Sequence, residues 1–466
     1  MRYARRGMER LTPSDASFLA QERSGAHMHI GGILLFDGGA PAHDELAAHV
    51  ESRLHLVPRY RQKLAFPRFE MGRPLWVDDP RFNIGYHVRT TALPRPGSLD
   101  QLRALAGRVF SQRLDRSKPL WEMWLVHGVD GGRCALVSKV HHSVVDGLAG
   151  VDLTTVLLDA GEAGADVVPE PREWNPGPEP TQAQLVAEAV KGILHRPERV
   201  ASAALQAVRS PGRSLARAAE AGEALGQVAW SAINRAPETP LNVPTGPHRR
   251  VHWVGASLED LKRPKDDFGG SLNDVYIACV AGALRRWLRR RHVRTEGLDL
   301  RAGVPVSVRP PDGAPLGSHV RMTIAPLPVY AERPVERLSI VAQATRGLRD
   351  SKQALGAQVL TNLQDFAPPT IFAQASRVAF SSRAHNLLVT NVPGPQFALR
   401  LLGRRLREIV PVPFLSPGHA LAIAMMSYDG RVSIGLMSDP DAIGELEELG
   451  ADLEHAIAEM AAVSGG

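Results

Sequence analysis

The stretch Cys134–Gly147 reads CALVSKVHHSVVDG and carries the most informative pattern in the sequence. A strand-like run leads into two adjacent histidines, His141 and His142, and Asp146 and Gly147 follow shortly after them. The chain has 17 histidines among 466 residues, so this combination rarely arises by chance. The residues after it have helical spacing, so the pattern predicts a strand that ends at a histidine pair and turns into a helix.

The alternation of side chains along a strand separates the two histidines. His142 falls on the uncharged face with Leu136 and Val140, whereas His141 shares its face with Lys139. We therefore expect His142 to point into the interior and His141 to support it. Because desolvation disfavours the imidazolium, a partly buried His142 stays neutral near pH 7, which is the state that a general base requires.

Other interpretations of the histidine pair are weaker. A zinc site needs three or more convergent ligands, and two histidines on opposite faces do not provide them. A structural role is the usual one for an isolated buried histidine, but the aspartate and glycine at a strand-to-helix turn favour a functional role. Asp146 is also well placed to N-cap the helix that follows.

A second hairpin in the sequence is similar to the one that carries the histidines. Residues 121–140 and residues 421–437 each hold two strand-like runs around an Asp-Gly turn, which is a strong hairpin pattern. His141 and Asp439 lie at matching positions, each eight residues after the arginine that opens the second strand. The second copy therefore has no histidine, and the likeness leaves open whether the chain contains a duplication.

The sequence changes in character along the chain and divides it into three segments. Residues 1–164 alternate strand-like and helical patterns. Residues 165–247 begin with a linker of five prolines between positions 166 and 180 and continue as broken, Ala-rich helices. Residues 248–466 again mix strands and helices. We predict two α/β domains, 1–164 and 248–466, joined by a helical crossover.

The charge balance and the apolar runs exclude several classes of protein. The 55 basic and 49 acidic residues give a net charge of +6, and the excess is dispersed rather than clustered. This suits anionic substrates or phospholipid surfaces, and we expect no nucleic-acid partner. The longest apolar run, Val275–Leu284, is about half of what a membrane span requires. Two cysteines, Cys134 and Cys279, exclude a disulfide framework, and we expect a cytoplasmic protein without a signal peptide.

The chain resembles the superfamily of chloramphenicol acetyltransferase, condensation domains and plant acyltransferases, whose signature is HHxxxDG. Further motifs narrow the resemblance to the bacterial wax ester synthase/diacylglycerol acyltransferases and follow one another in order along nearly the whole chain. These motifs are LTPSDASFL at 11–19, PLWE at 119–122, SLND at 271–274, VSVR at 306–309 and NVPGP at 391–395. The sequence departs from many relatives at 316–318, LGS, where they carry Gly-Asn, which affects the expected substrate contacts there.

The resemblance implies both a fold and a reaction. The fold is two chloramphenicol-acetyltransferase-like mixed-sheet domains with a tunnel between them, and His142 lies midway along the tunnel. His142 takes the proton of an acceptor hydroxyl, which attacks the thioester of acyl-CoA directly, so no acyl-enzyme forms. The absence of a G-x-S-x-G nucleophile motif agrees with direct attack. The acceptor is a diacylglycerol or a long-chain alcohol, and the product is triacylglycerol or wax ester.

The resemblance also implies roles for other residues. Asp146, together with Gly147, fixes the loop that presents the histidine, and its carboxylate pairs with either Arg309 or Arg61. Asn273 stabilises the developing oxyanion or positions the substrate. From the residues alone, Asn273 also fits a helix N-terminus, because Ser271-x-x-Asp274 forms a capping-box pattern, and the family motif favours the role toward substrate.

The expected partners follow from the hydrophobic substrates. We expect acyl-CoA and a diacylglycerol or long-chain alcohol as substrates, with no metal and no cofactor. We also expect peripheral attachment to the inner membrane face or to lipid droplets. Five arginines at 285–291 suit CoA phosphates or an anionic membrane, although a solvated helix C-terminus explains them better. Two alternatives stay open, a non-catalytic lipid-binding protein of the droplet surface and an acyltransferase for another alcohol. The preferred acyl length, the ranking of acceptors and the oligomeric state also stay open.

Overall fold

The computed structural model describes residues 9–22, 25–68, 73–145, 156–161, 174–194, 235–307, 320–350 and 384–464. Its strands are β1 (Glu9–Arg10), β2 (His29–Phe36), β3 (Gln62–Ala65), β4 (Leu75–Asp78), β5 (Val88–Ala92), β6 (Trp121–Val129), β7 (Arg133–His141), β8 (Asp159–Ala160), β9 (Arg250–Ser257), β10 (Leu300–Ser307), β11 (Val320–Leu327), β12 (Leu387–Pro393), β13 (Leu399–Leu401), β14 (Arg404–Val412), β15 (Leu421–Tyr428) and β16 (Arg431–Ser438). Its helices are α1 (Pro13–Gln21), α2 (His43–Arg53), α3 (Ile84–His87), α4 (Leu99–Ser111), α5 (Gln182–Leu194), α6 (Leu258–Phe268), α7 (Leu272–Arg290), α8 (Pro334–Asp350) and α9 (Leu446–Ala462).

Two large mixed sheets organise the described part of the chain. The first has the order β5-β6-β7-β2-β14-β13-β8, in which β5 and β6 are parallel and the other described neighbours are antiparallel. The second has the order β11-β10-β12-β15-β16-β9, with parallel pairing of β10 to β12 and of β12 to β15. A third sheet, β1-β4-β3, pairs with neither of them, and its Leu64 and Trp76 belong to the same buried cluster as Leu34 of the first sheet. The two mixed sheets, with helices packed on them, confirm the predicted α/β class.

The two predicted hairpins occupy equivalent places in these sheets. β6 is parallel to β5 and antiparallel to β7, which pairs with β2. In the same way β15 is parallel to β12 and antiparallel to β16, which pairs with β9. The strand ends also match, because the N–H of His141 donates to the Leu120 carbonyl at 3.0 Å and the N–H of Asp439 donates to the Ala420 carbonyl at 3.0 Å. Asp439 is therefore the structural counterpart of His141.

One pair of strands joins the two halves of the chain. β13 and β14 come from the C-terminal half, yet β14 pairs with β2 in the sheet that carries the histidines, and Val410 lies opposite Ile33. The division into 1–164, 165–247 and 248–466 stays a prediction. The pairing adds that residues 399–412 belong to the first sheet, although they lie within the segment 248–466.

A hydrophobic layer packs the two sheets together beside the histidine pair. Ile33, Ala135 and Val137 of the first sheet share one buried cluster with Trp253 and Met437 of the second. Burying a residue of valine size or larger contributes roughly 1.5–3 kcal/mol, so this layer is a main source of cohesion between the sheets. None of the helices in the described segments combines the length and the apolar composition that crossing a bilayer demands.

Candidate active site

The histidine pair lies where β7 ends. His141 is the last residue of the strand, and His142 begins the turn after it. The N–H of His142 donates to the carbonyl of Met28 at 3.0 Å, so the main chain of both histidines is held by neighbouring segments. Because regular alternation stops at His141, it does not determine where the His142 ring points. Lys139 is itself fully buried, so its charge does not mark an exposed face of the strand.

Two aromatic rings enclose His142. The ring of Phe18, from α1, stacks on the imidazole with a centroid distance of 3.8 Å and an interplanar angle of 19°. Phe414, in the segment after β14, meets the imidazole edge-on at 5.6 Å and 86°. The two phenylalanines are 6.1 Å apart and belong to the layer between the sheets. The walls around His142 thus come from positions almost 400 residues apart in the sequence.

The surroundings of His142 keep its imidazole neutral. Burial lowers the pKa of His142 to about 4, and the residue's own backbone carbonyl opposes this change. Nδ1 of His142 is buried, and no group in the described residues forms a hydrogen bond with it. A neutral imidazole carries its proton on one nitrogen only, so a base that acts through Nε2 requires the proton to be on Nδ1.

His141 makes a different set of contacts. Its Nδ1 accepts a hydrogen bond from the N–H of Ser143 at 3.1 Å and lies 2.7 Å from the Ser143 hydroxyl. Its proton is therefore on Nε2, which lies 3.8 Å from a carboxylate oxygen of Glu22. Burial, His142 and Arg116 lower the pKa of His141 to about 3, so this ring is also neutral.

Met28 holds an unusual backbone conformation beside the pair. It has a φ of 51°, in the left-handed region that non-glycine residues rarely adopt, and its side chain is fully buried. Its carbonyl accepts the hydrogen bond from His142. Backbone strain of this kind costs roughly 1–3 kcal/mol and persists only where surrounding contacts enforce it. The conformation of Met28 therefore contributes to the placement of His142.

Comparisons with known proteins identify the family. Residues 11–276 match the wax ester synthase/diacylglycerol acyltransferase catalytic domain, and residues 316–461 match the C-terminal domain of the same family. The chain belongs to the wax ester synthase/diacylglycerol acyltransferase family. It is an acyltransferase, as the sequence motifs indicated.

Individual relatives agree with this assignment. A putative diacylglycerol O-acyltransferase of Mycobacterium tuberculosis H37Rv is 33% identical over 97% of this chain and 90% of that protein. A probable diacylglycerol O-acyltransferase, tgs1, of the same organism is 31% identical over 98% of this chain and 96% of that protein.

Solved structures share the fold at lower identity. The wax ester synthase/diacylglycerol acyltransferase from Marinobacter aquaeolei VT8 superimposes with a TM-score of 0.67 at 24% identity, covering 98% of this chain and 100% of that one. The first condensation domain of the calcium-dependent antibiotic synthetase gives a TM-score of 0.59 at 17% identity, covering 99% and 97%. The mixed-sheet α/β fold predicted from the resemblance is therefore confirmed.

The family motif SLND begins α7 with the predicted capping box. The N–H of Ser271 donates to the Asp274 carboxylate at 2.7 Å, and the N–H of Asp274 donates to the Ser271 hydroxyl at 3.3 Å. Asp274 also accepts a hydrogen bond from the Thr345 hydroxyl at 2.8 Å, which ties α7 to α8. Asn273 is half-buried, and within the described segments no hydrogen bond joins it to His142. Its role toward substrate stays a prediction.

The partner of the motif aspartate stays open. Asp146, Gly147 and Arg309 lie outside the described residues, as do residues 316–318. Arg61 is buried, donates to the Glu51 carbonyl at 3.2 Å and lies over the ring of Trp174 at 5.1 Å. Burial lowers the pKa of Arg61, and the charge of Glu51 opposes this change.

Several of the arginines at 285–291 form contacts within the chain. Arg290 forms a bidentate ion pair with Asp452 of α9. Arg291 forms an ion pair with Glu445 at 3.2 Å. Arg285 donates to the Val329 carbonyl at 2.7 Å. These contacts favour the interpretation of a solvated helix C-terminus over a phosphate site.

Several site residues were missed at the sequence level. Phe18 lies in the family motif at 11–19, to which the sequence alone assigned no structural role. His29 lies opposite His141 in the pairing of β2 with β7. Glu22 and Phe414 had no local pattern to mark them. The contacts of these residues arise from chain segments that only the fold brings together.

Proposed function

We propose that this acyltransferase moves an acyl group from acyl-CoA to the hydroxyl of a diacylglycerol or of a long-chain alcohol, with His142 as general base. The observation that carries the proposal is the neutral imidazole of His142, enclosed by Phe18 and Phe414 between two packed sheets. The names of the relatives support a diacylglycerol acceptor, and the family description supports both acceptors.

The proposed step balances without a cofactor. Nε2 of His142 takes the hydroxyl proton while the acceptor oxygen forms a bond to the thioester carbonyl carbon. The tetrahedral intermediate collapses, the C–S bond breaks, and the CoA thiolate takes the proton back from His142. General-base catalysis of this kind contributes about 100-fold to 10,000-fold to the rate, and holding two substrates in register contributes further.

Other residues have supporting roles in the proposal. Asn273, at the N-terminus of α7, donates to the oxyanion of the tetrahedral intermediate, and His141 supports His142 from the other side of the turn. Asp146 and Gly147 fix the loop through Arg61 or Arg309. The substrates reach His142 through a tunnel between the two sheets, and the protein attaches peripherally to a membrane or droplet surface.

The test is acyl transfer from palmitoyl-CoA to dioleoylglycerol and, separately, to hexadecanol. We expect ester from the wild type and at least a 100-fold loss in His142→Ala. His455→Ala, which removes an exposed histidine of α9, serves as the matched control and should keep wild-type activity. A folded His142→Ala variant with wild-type activity would overturn the role of His142. No ester with either acceptor would overturn the proposed substrates.

A further inference from the structure

Glu22 lies beneath the histidine pair at the end of α1. Its side chain is 4% exposed, and its N–H donates to the Phe18 carbonyl at 3.1 Å, which ends the helix. Phe18 and Glu22 are four residues apart, so they lie on one face of the same helical turn. Phe18 stacks on His142, and Glu22 faces His141. Side chains from one short helix therefore lie against both histidines of the motif.

The carboxylate of Glu22 faces three nitrogen-bearing groups. One oxygen is 3.8 Å from Nε2 of His29, and the other is 3.8 Å from Nε2 of His141. Arg116 also donates to the second oxygen, with its Nε at 3.0 Å. A distance of 3.8 Å is longer than a hydrogen bond, yet a small rotation of the Glu22 side chain would bring an oxygen within hydrogen-bonding distance of a ring nitrogen.

The proton of His141 has no other acceptor in the described residues. Nδ1 is occupied by the N–H of Ser143, so the proton is on Nε2, and Nε2 is buried without a hydrogen-bond partner. A buried donor without a hydrogen bond lowers stability by roughly 1–3 kcal/mol, so a hydrogen bond from Nε2 to the nearest acceptor is strongly favoured. That acceptor is the carboxylate of Glu22.

We propose that Glu22 is a positioning residue that accepts the Nε2 proton of His141 and thereby holds the turn on which His142 is presented. This inference rests on the proposed function, because the consequence for catalysis runs through His142. The ring of His141 is fixed from both ends, by Ser143 at Nδ1 and by Glu22 at Nε2. The peptide bond between His141 and His142 contains the N–H that donates to the Met28 carbonyl. A tilted His141 therefore displaces the base itself.

The kinetic test is Glu22→Gln, which keeps the shape and removes the charge. We expect kcat to fall about 10-fold to 100-fold, as for a base misplaced by about an ångström, with the KM for palmitoyl-CoA within about twofold of wild type. In a cycle with His141→Gln, the double variant should be no slower than the slower single variant, because both changes act through one ring. Additive losses in kcat would overturn the proposal.

Two control variants separate positioning from simple stability. Asp37→Asn removes a partly exposed carboxylate that pairs with Arg407, and it should leave kcat unchanged. Arg116→Met removes the cation beside Glu22 and leaves the carboxylate facing the histidines, so it should lose less activity than Glu22→Gln. Equal losses in the two variants, with equal falls in Tm, would assign Glu22 to the ion pair alone.

A measurement without substrate separates this inference from the proposed function. In protein labelled with ¹⁵N-histidine, the Nε2 proton of His141, assigned with His141→Gln, should resonate downfield in the wild type and move upfield in Glu22→Gln. An unchanged resonance would overturn the proposal even in an active enzyme. A wild type that makes no ester while the resonance shifts would instead overturn the proposed function and leave the contact established.

Discussion

Replacing Phe18 with alanine tests what keeps His142 neutral. Phe18 is 8% exposed and stacks on the imidazole at 3.8 Å, and burial is the main cause that lowers the pKa of His142 to about 4. Alanine admits water beside the ring, so we expect the pKa of His142 to rise toward its usual value near 6.5. His142 is active as the neutral base, so activity is present above its pKa and lost as the pH falls through it.

The magnitude follows from the fraction of neutral imidazole. With a pKa of about 4, about 97% of His142 is neutral at pH 5.5, and with a pKa of about 6 only about 24% is neutral. The ratio of kcat/KM at pH 5.5 to that at pH 8 should therefore be about fourfold lower in Phe18→Ala than in the wild type. Truncating a core phenylalanine also costs up to roughly 3–5 kcal/mol, so the assay temperature must lie below the Tm of the variant.

The assay is the initial rate of ester formation between pH 5.5 and pH 8.5. Phe18→Leu, which keeps most of the apolar volume, should show a smaller change than Phe18→Ala. Phe268→Ala removes a phenylalanine that is 41% exposed at the end of α6 and should keep the wild-type pH profile. A uniform loss of kcat/KM in Phe18→Ala, with no movement of the acid limb, would refute burial by Phe18 as the cause.

Three further predictions concern stability, measured by urea unfolding or Tm. Gly25→Ala should destabilise by roughly 1–3 kcal/mol, because a Cβ there lies 1.9 Å from the Thr245 carbonyl, whereas Gly39→Ala meets nothing within 4 Å and should be neutral. Asp274→Ala should cost about 2 kcal/mol through loss of the capping box and of the Thr345 hydrogen bond, and a variant as stable as wild type would contradict this. Burial lowers the pKa of four histidines to about 3 or 4, so between pH 6.5 and pH 4 they bind protons mainly in the unfolded chain; they are His87, His141, His142 and His385. Each should therefore lower the free energy of unfolding by up to about 1.4 kcal/mol per pH unit as the pH falls through this range. A Tm that is constant from pH 7 to pH 5 would contradict their neutral burial.

Local patterns predicted the elements that local chemistry determines. The hairpins β6–β7 and β15–β16 follow from Asp-Gly turns between strand-like runs, and the capping box of α7 follows from Ser271 and Asp274 alone. The position of His142 at the end of a strand was also predictable, because strand-like alternation gives way to a turn within a few residues. The reason offered for its inward orientation was wrong, since Lys139 is buried by donating to carbonyls at the end of α4.

The sequence by itself determined the family, the α/β class, the two hairpins and the histidine pair, because each depends on residues that are neighbours in the chain. Only the tertiary structure decided that β14 joins the sheet of β2, that Phe414 and Phe18 enclose His142, and that Glu22 faces His141. These contacts join segments far apart in sequence, and their free energy comes from burial and from hydrogen bonds that exist only after the sheets have packed. The neutrality of His142 is likewise a property of that packed environment rather than of the motif.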